Sequence, residues 1–534
     1  MGLHRRIWIV ACSILLAACS GGERETDRAI EEGVLLIGNG TEPKTIDPQI
    51  ASGVPERNII SALFEGLVIT DPKGSEAVLP GVAQSWEHDD EARVWTFHLR
   101  PGARWSNGDR VTAQDFAYGW RRALTPALGF ELVETLYVIK GAEAFNLGKS
   151  GWDGVGVATP DSRTLVVTLA NPTPQFLQML TFYAFNPVHR ATIEANGGIA
   201  DRSGRWLAPG TLVGNGPFVL TKWQTNQLIE VRKNAQYWDA ESVALNAIRF
   251  FPIENETTEE KSFLSGRLHL TSTVPANKLP GYADDPRFRA DPLAGTYFYS
   301  INLSRKPLND RRVREALSLA IDRRAIVERV TQGGQTPAGG LVPLAFKDYR
   351  QVPGPAPDPE RARALLAEAG FPGGKGFPRF EILINTSEGH RKIAEAIQAM
   401  WRRELGIDVG IYNQEWKVYL DTRQNRDFTI ARMGWVAPYL DPLPMLEVMT
   451  TGNPNNDSGY SSPQFDALID RSRSAGDKTA RYRLMEQADR ILARDLPIIP
   501  IYWYTEPRLI DPRLKGWDPQ PRGVHPYKFL SFED

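Results

Sequence analysis

The chain reads as an α/β protein of several domains. Strand-type and helix-type patterns alternate along it, and one stretch places strand, helix and strand at the spacing of a βαβ unit. Its 534 residues, 42% hydrophobic, 10% aromatic and 24% charged, are those of a soluble globular protein of two or three domains. Val94-Trp95-Thr96-Phe97-His98-Leu99 has the period of a strand, and Pro101-Gly102 and Asn107-Gly108 are turn signals on either side of Arg104-Trp105. Thr112-Ala113-Gln114-Asp115 is an N-cap pattern opening a helix that carries Phe116, Trp120 and Leu124. Further on, Asp358-Pro359-Glu360 caps a helix ended by Gly370, and Phe380 to Ile384 is a strand. A helix with Ile393, Ile397, Trp401 and Leu405 on one face follows, stopped by Gly406, before a strand at Ile407 to Ile411. Strand, helix, strand predicts a right-handed crossover in a parallel pair. His390 falls between the first strand and its helix, where α/β sheets usually hold ligands; a solvated loop histidine is the competing reading.

Ahead of this lies a segment that reads as processing signal. His4-Arg5-Arg6 is a basic n-region and Ile7 to Leu16 a short apolar h-region, too short to span a bilayer as a mature helix. Leu16-Ala17-Ala18-Cys19 resembles the lipobox of bacterial lipoproteins, in which the leader is cut and the cysteine acylated. The reading is a signal peptide at 1–18 and a lipid anchor at Cys19, with Ser20 to Asp27 opening a flexible tether that extends to 33. Cys12 and Cys19 are the only cysteines, so the mature chain has neither disulfide nor cysteine metal site. A net charge of −2 with interspersed signs leaves no electrostatic footprint for nucleic acid.

Signatures of catalysis fail. Gly148-Lys149-Ser150 imitates the end of a phosphate-binding loop, but the nearest upstream glycine, Gly141, is too far away for that motif. The histidines are scattered, with no His-Glu-x-x-His and no Gly-x-Ser-x-Gly elbow. The chain is therefore read as a non-enzyme without cofactor or metal. Aromatic residues with polar company are instead concentrated in the last third: Asn413-Gln414-Glu415-Trp416-Lys417, Asp421-Thr422-Arg423, and Ala431-Arg432-Met433-Gly434-Trp435-Val436-Ala437-Pro438-Tyr439-Leu440-Asp441-Pro442. Tryptophan faces accept varied side chains and guanidinium forks take carboxylates; core plus solvated charge is the competing reading.

These same stretches carry a resemblance. Asn413 to Arg423, Ala431 to Trp435, Asn385-Thr386-Ser387 with His390, and Leu366 to Phe371 resemble the periplasmic oligopeptide-binding proteins of ABC importers, solute-binding family 5. So do Leu63 to Leu67, Val94 to Arg100, Trp105 to Gly108 and Asn234 to Asp239. The resemblance implies the two-lobed periplasmic-binding-protein fold (type II, cluster C), with a hinge and an additional α/β domain. Lobe I would comprise 34–64, 187–294 and 506–534, the extra domain 65–186, and lobe III 295–505. It also implies a monomer on the periplasmic side of a membrane that closes on an oligopeptide and delivers it to an ABC permease and ATPase complex.

Residue by residue, the resemblance implies backbone contacts to ligand at Val54 and Gly434, and side-chain pockets lined by Trp416, Trp435 and Tyr504. Phe130 falls close to a pocket tyrosine and Arg423 at a pocket arginine. Arg432 and His390 match groups that receive the peptide's terminal carboxylate. Two departures stand out. The aspartate that grips the peptide's α-ammonium in close relatives is Pro438 here, and a second acidic position is Ser52. Either another carboxylate takes over, Asp441 first with Glu415 and Asp421 behind it, or the ligand has no free amine there. A cysteine pair of some relatives is absent, with Val436 at one position. A modified, N-blocked or cell-wall peptide, a metal chelate, an oligosaccharide, an envelope hydrolase, and a receptor or scaffold without transport remain alternatives at this point.

Overall fold

The computed structural model describes residues 23–346 and 348–533. The leader and Cys19 lie outside the described residues. Helix α1 (Glu25–Glu31) leads into β1 (Val34–Gly38) and α2 (Val54–Leu63). Strands β2 (Ala83–His88) and β3 (Val94–Leu99), helix α3 (Ala113–Leu124), and strands β4 (Val157–Ala158) and β5 (Thr164–Thr168) come next, then β6 (Phe218–Gln224), β7 (Leu228–Lys233) and β8 (Ala247–Phe251). The long strand β9 (Phe288–Ile301) opens the remainder: β10 (Thr336–Pro337), α4 (Pro359–Glu368), β11 (Phe380–Asn385), α5 (Glu388–Leu405), β12 (Val409–Gln414), α6 (Trp416–Gln424), β13 (Ile430–Val436), α7 (Pro463–Ser474), α8 (Lys478–Asp495) and β14 (Ile498–Leu509).

Three larger sheets result, ordered β1-β8-β7-β6, β2-β3-β5-β4 and β10-β14-β9-β13-β11-β12. The first two share one apolar core, in which Leu35, Ile37 and Ile248 join Trp95, Phe97, Phe116 and Trp120. The six-stranded sheet is covered on both faces. Tyr297, Tyr299, Ile382, Ile397 and Trp401 pack on one, Phe298, Met433, Leu446 and Met485 on the other. The alternation of Tyr297, Phe298 and Tyr299 between the two cores is the period-two rule of a strand buried on both sides. Two strands join the bodies: β9 and β14 run past the boundaries expected at 294/295 and 505/506, and their antiparallel register slips between Pro292 and Thr296. Such a bulge bends the paired strands where they pass from one body to the other.

The elements read from sequence have physical support. Asp115 accepts from the Thr112 backbone N–H at 2.8 Å and from its hydroxyl at 2.9 Å, which holds the start of α3. Asp358 and Ser387 cap α4 and α5. Gly406 ends α5 in the left-handed region, φ 68°, a conformation glycine adopts without a Cβ clash. Strands β11 and β12 pair in parallel from Phe380 with Val409 to Asn385 with Gln414; the second strand starts at Val409 rather than Ile407.

One expectation is corrected. Residues 25 to 31 are helix, not tether: the Thr26 N–H donates to the Gly266 carbonyl at 2.9 Å, and Arg513 pairs with Asp27 at 2.9 Å. The segment is docked by residues far away in sequence, so its polar composition alone does not reveal it.

Candidate functional site

A cavity of about 460 Å³ lies between the body of the first two sheets and the body of the third, within the usual range for ligand pockets, about 300–1,000 Å³. Arg432, Met433, Gly434, Trp435 and Val436 all line it. A strand offering only a face would line a cavity with alternate residues, so β13 presents its edge. The reason is in the register: β13 pairs with β9 throughout, but with β11 only at Ile430 and Ala431. Beyond Ala431 that edge faces the cavity, with no strand among the described residues beside it. Across the cavity, Ser52, Gly53, Val54 and Pro55 form the opposing wall at the start of α2.

Arg432 dominates this wall. Its guanidinium donates to Asn385 Oδ1 at 3.2 Å and to the Tyr504 hydroxyl at 2.8 Å, and lies over the Tyr297 ring at 4.8 Å. Among the described residues no carboxylate pairs with it, and its buried Nε has no partner. A sequestered cation without a counter-ion is costly. Gly434 is required by close approach: a Cβ there would stand 2.2 Å from the Tyr504 hydroxyl, which Arg432 holds in place. Arg423 also reaches the cavity, but its charge is met by Asp457 at 2.6 Å.

Of the residues singled out from sequence, Ser52, Val54, Trp416, Arg423, Arg432, Gly434, Trp435, Pro438 and Tyr504 all line the cavity. Three do not. Phe130 is 3% exposed in the shared core; the chain turns at Gly129, φ 61°, and Glu131 and Leu132 reach the cavity instead. His390 lies behind Tyr297, its Nδ1 3.5 Å from the tyrosine hydroxyl. Burial and the neighbouring Arg432 charge push its pKa well down, so the imidazole is held neutral and brings no positive charge to a ligand carboxylate. Asp441 is buried with both oxygens held by Arg481, at 3.0 and 3.1 Å, and is not available as a substitute acid. Of the acids behind it, Glu415 caps α6 through the Lys417 N–H at 2.9 Å, and Asp421 pairs with Lys44 at 2.7 Å.

Sequence reasoning missed Arg57, Glu131, Glu506 and Arg522, all on the cavity wall. Glu131 was adjacent to the residue chosen. It lies beside Ser52, and burial raises its pKa, so an acid stands close to the position where Ser52 replaces one.

The two bodies are in contact. Glu256 accepts from the Ser387 hydroxyl at 2.7 Å and from the Gly389 N–H at 3.1 Å, and Trp416 donates to Glu56 at 3.3 Å. Asn455 donates to the Glu131 carbonyl at 2.7 Å, and Asn453 to Glu134. Burial and then the Glu447 carboxylate push the Glu134 pKa up to about 8, while Arg473 opposes this. With the bodies apart and Glu134 solvated near its ordinary value, closing takes up a proton. The contribution to closure is full below that ordinary value and is lost as pH rises through about 8. Ligand affinity should therefore fall roughly tenfold or more between pH 6 and pH 9, and Glu134→Gln should flatten the slope. Titration calorimetry across that range checks it; an unchanged slope in the variant would assign the pH dependence elsewhere.

Among the described residues no group of three or more His, Cys, Asp or Glu could hold a metal ion, and no helix is long and apolar enough to cross a membrane.

With this geometry established, the chain was compared with known proteins. A family described as "Bacterial extracellular solute-binding proteins, family 5 Middle" matches residues 77–457. The oligopeptide-binding protein OppA of Bacillus subtilis is 37% identical, over 94% of each chain. Among solved structures, the murein tripeptide binding protein MppA of Escherichia coli superposes with a TM-score of 0.89 at 35% identity, covering 93% of this chain and 98% of that one. Haemophilus influenzae OppA in complex with RPPGFSPFR gives 0.89 at 33% identity, covering 94% and 99%. The unliganded open form of MppA gives only 0.64 at 35% identity, covering 94% and 98%. The present structure thus departs from an open arrangement, in keeping with the hydrogen bonds between its bodies.

Proposed function

Because the chain belongs to family 5 of the bacterial extracellular solute-binding proteins, we propose that it captures oligopeptides between its two lobes and hands them to an ABC transporter. The observation that carries this is the open edge of β13, enclosed between the lobes and begun by a buried guanidinium without an acid partner. An extended peptide adding to that edge gains main-chain hydrogen bonds that any sequence can make. From Arg432 to Val436 the edge offers four rises of about 3.3 Å, roughly 13 Å in all, enough for about four ligand residues. Arg432 would take the terminal carboxylate, Val54 and Gly434 would supply backbone partners, and Trp416, Trp435 and Tyr504 would line side-chain pockets. Cys19 would tether the mature protein to a membrane of the cell envelope through lipid.

The departure at Pro438 bears on ligand choice within this reading. Proline offers neither a charge nor an N–H, and the fallback acid Asp441 is committed to Arg481. At the Pro438 end an N-blocked or otherwise modified peptide therefore fits better than one with a free amine, and a free amine would have to turn to Glu131 beside Ser52. Native mass spectrometry of the purified protein, followed by denaturation, tests the proposal directly. A series of short peptide masses is expected, and the mass of the chain itself reads whether Cys19 is acylated. A single non-peptide mass, or a cavity that a peptide library leaves empty, would overturn the peptide reading.

A further inference from the structure

The far end of the cavity has an unusual charge balance. Past the end of β13, the Pro438 carbonyl accepts from Arg522 Nη1 at 2.7 Å, and Arg522 Nη2 donates to the Thr70 hydroxyl at 2.7 Å. Arg522 is 4% exposed, lines the cavity and has no carboxylate partner among the described residues. Arg57 lines the same end. One of its terminal nitrogens donates to the Gly523 carbonyl at 3.2 Å, and its buried Nε has no partner. The one cavity-lining acid here, Glu506, accepts from Arg508 at 3.1 Å. Glu506 thus answers Arg508 and the neighbouring Arg57, while Arg522 meets only neutral oxygens. Nearby His525, stacked on Trp517 with ring centroids 3.7 Å apart, has its pKa pushed well down by burial and then by Arg508, Arg57 and Arg289.

We propose that this end of the cavity is an anion subsite, in which Arg522 together with Arg57 receives a carboxylate carried by the amino-terminal end of an N-blocked peptide. The assignment of ends rests on the reading of Arg432 given above. A guanidinium has five N–H donors; two of those on Arg522 are used by neutral oxygens, which orient the group and leave its charge unmet. Burying such a charge is expensive unless an anion joins it, and the cavity that Arg522 lines gives an anion access to it. A free α-ammonium would add a further positive charge to this surplus. Pro438 therefore does more than omit an amine clamp. Its carbonyl positions a cation at this end of the cavity.

The test compares three tripeptides of otherwise identical sequence by titration calorimetry on the intact mature protein: N-acetyl-Ala-Ala-Ala, N-succinyl-Ala-Ala-Ala and N-acetyl-Asp-Ala-Ala. At least one of the two anionic peptides should bind tenfold or more tightly than acetyl-Ala-Ala-Ala. A gain with succinate places the anion on the blocking group, and a gain with aspartate places it on the first side chain. The gain, read in each variant as the ratio to acetyl-Ala-Ala-Ala in that same variant, should fall to less than threefold in Arg522→Gln and shrink in Arg57→Gln. If Arg522→Gln fails to fold, Arg57→Gln decides alone. Equal binding of all three peptides, or a gain that survives both substitutions, would overturn the subsite while leaving peptide capture intact. Binding of none of them, together with no peptide found in the purified protein, would overturn peptide capture itself.

Discussion

Replacing Arg432 with alanine should weaken free-acid peptides about a hundredfold while costing their C-terminally amidated analogues less than about threefold. The asymmetry follows from the charge state of the site. Arg432 is anchored by neutral partners, Asn385 and the Tyr504 hydroxyl, and no carboxylate among the described residues neutralises it. A ligand carboxylate meeting it gains a charged hydrogen bond of roughly 1.5–3 kcal/mol. In the alanine variant the same carboxylate would be buried without its partner, at a cost of about 3–5 kcal/mol. An amide end group is spared most of that difference. Arg432→Lys keeps the charge but loses the fork that reaches both anchors, so it should fall between the two. Calorimetry with matched acid and amide peptides reads the ratio directly. Equal losses for both end groups would remove Arg432 from carboxylate recognition.

The second large effect concerns stability. Arg122 on α3 has a fully buried side chain and forms a two-pronged pair with Asp47, both bonds at 2.7 Å, with further bonds to Gln49 and the Asp201 carbonyl at 3.1 Å. This cluster ties the loop after β1 to the helix of the second sheet. Removing one member leaves a buried, unpaired charge, so Asp47→Ala should lower unfolding free energy by about 3–5 kcal/mol. Replacing both residues with apolar ones of similar volume should recover much of the loss, since the pair itself is expensive to desolvate. Urea titrations of the single and double variants check this. A loss below about 1 kcal/mol in Asp47→Ala would place the pair among exposed ion pairs, which contribute that little.

Much of the molecule was legible in its residues, for identifiable reasons. Caps, a stop glycine and period-two or helical faces are local signals, and α3, α4, α5 and β11 all rest on them. Arg432, Gly434 and Trp435 came through the resemblance carried by Ala431 to Trp435, and one strand brings all three to the cavity. Elsewhere the deciding partner was distant in sequence. Asp441 reads as the acid that would take over the amine, but Arg481 holds it, from a helix 40 positions away. Arg522 gave no local signal at all: it reaches the cavity by bonding Pro438, 84 positions earlier. The helix at Glu25–Glu31 reads as solvated tether because its ties, Gly266 and Arg513, are supplied by tertiary structure. At Phe130 the error was a single position, since a left-handed glycine redirects the chain just before it.

The two passages between lobes, β9 and β14, are hydrogen-bonded to each other along nearly their whole length. They act as one pin rather than two independent cords, and a pin permits swinging about a single axis while resisting twist and slide. A swing about the slipped register at Pro292–Thr296 would part contacts such as Glu256 with Ser387 and Asn455 with Glu131, and leave the two cores of the six-stranded sheet packed. The cost of standing ajar is therefore set by a few hydrogen bonds and desolvated charges, not by the much larger free energy that holds each lobe together. A cargo contributing only a few kcal/mol can thus decide which way the door rests, and the same small sum suffices for whatever receives the cargo to push it open again.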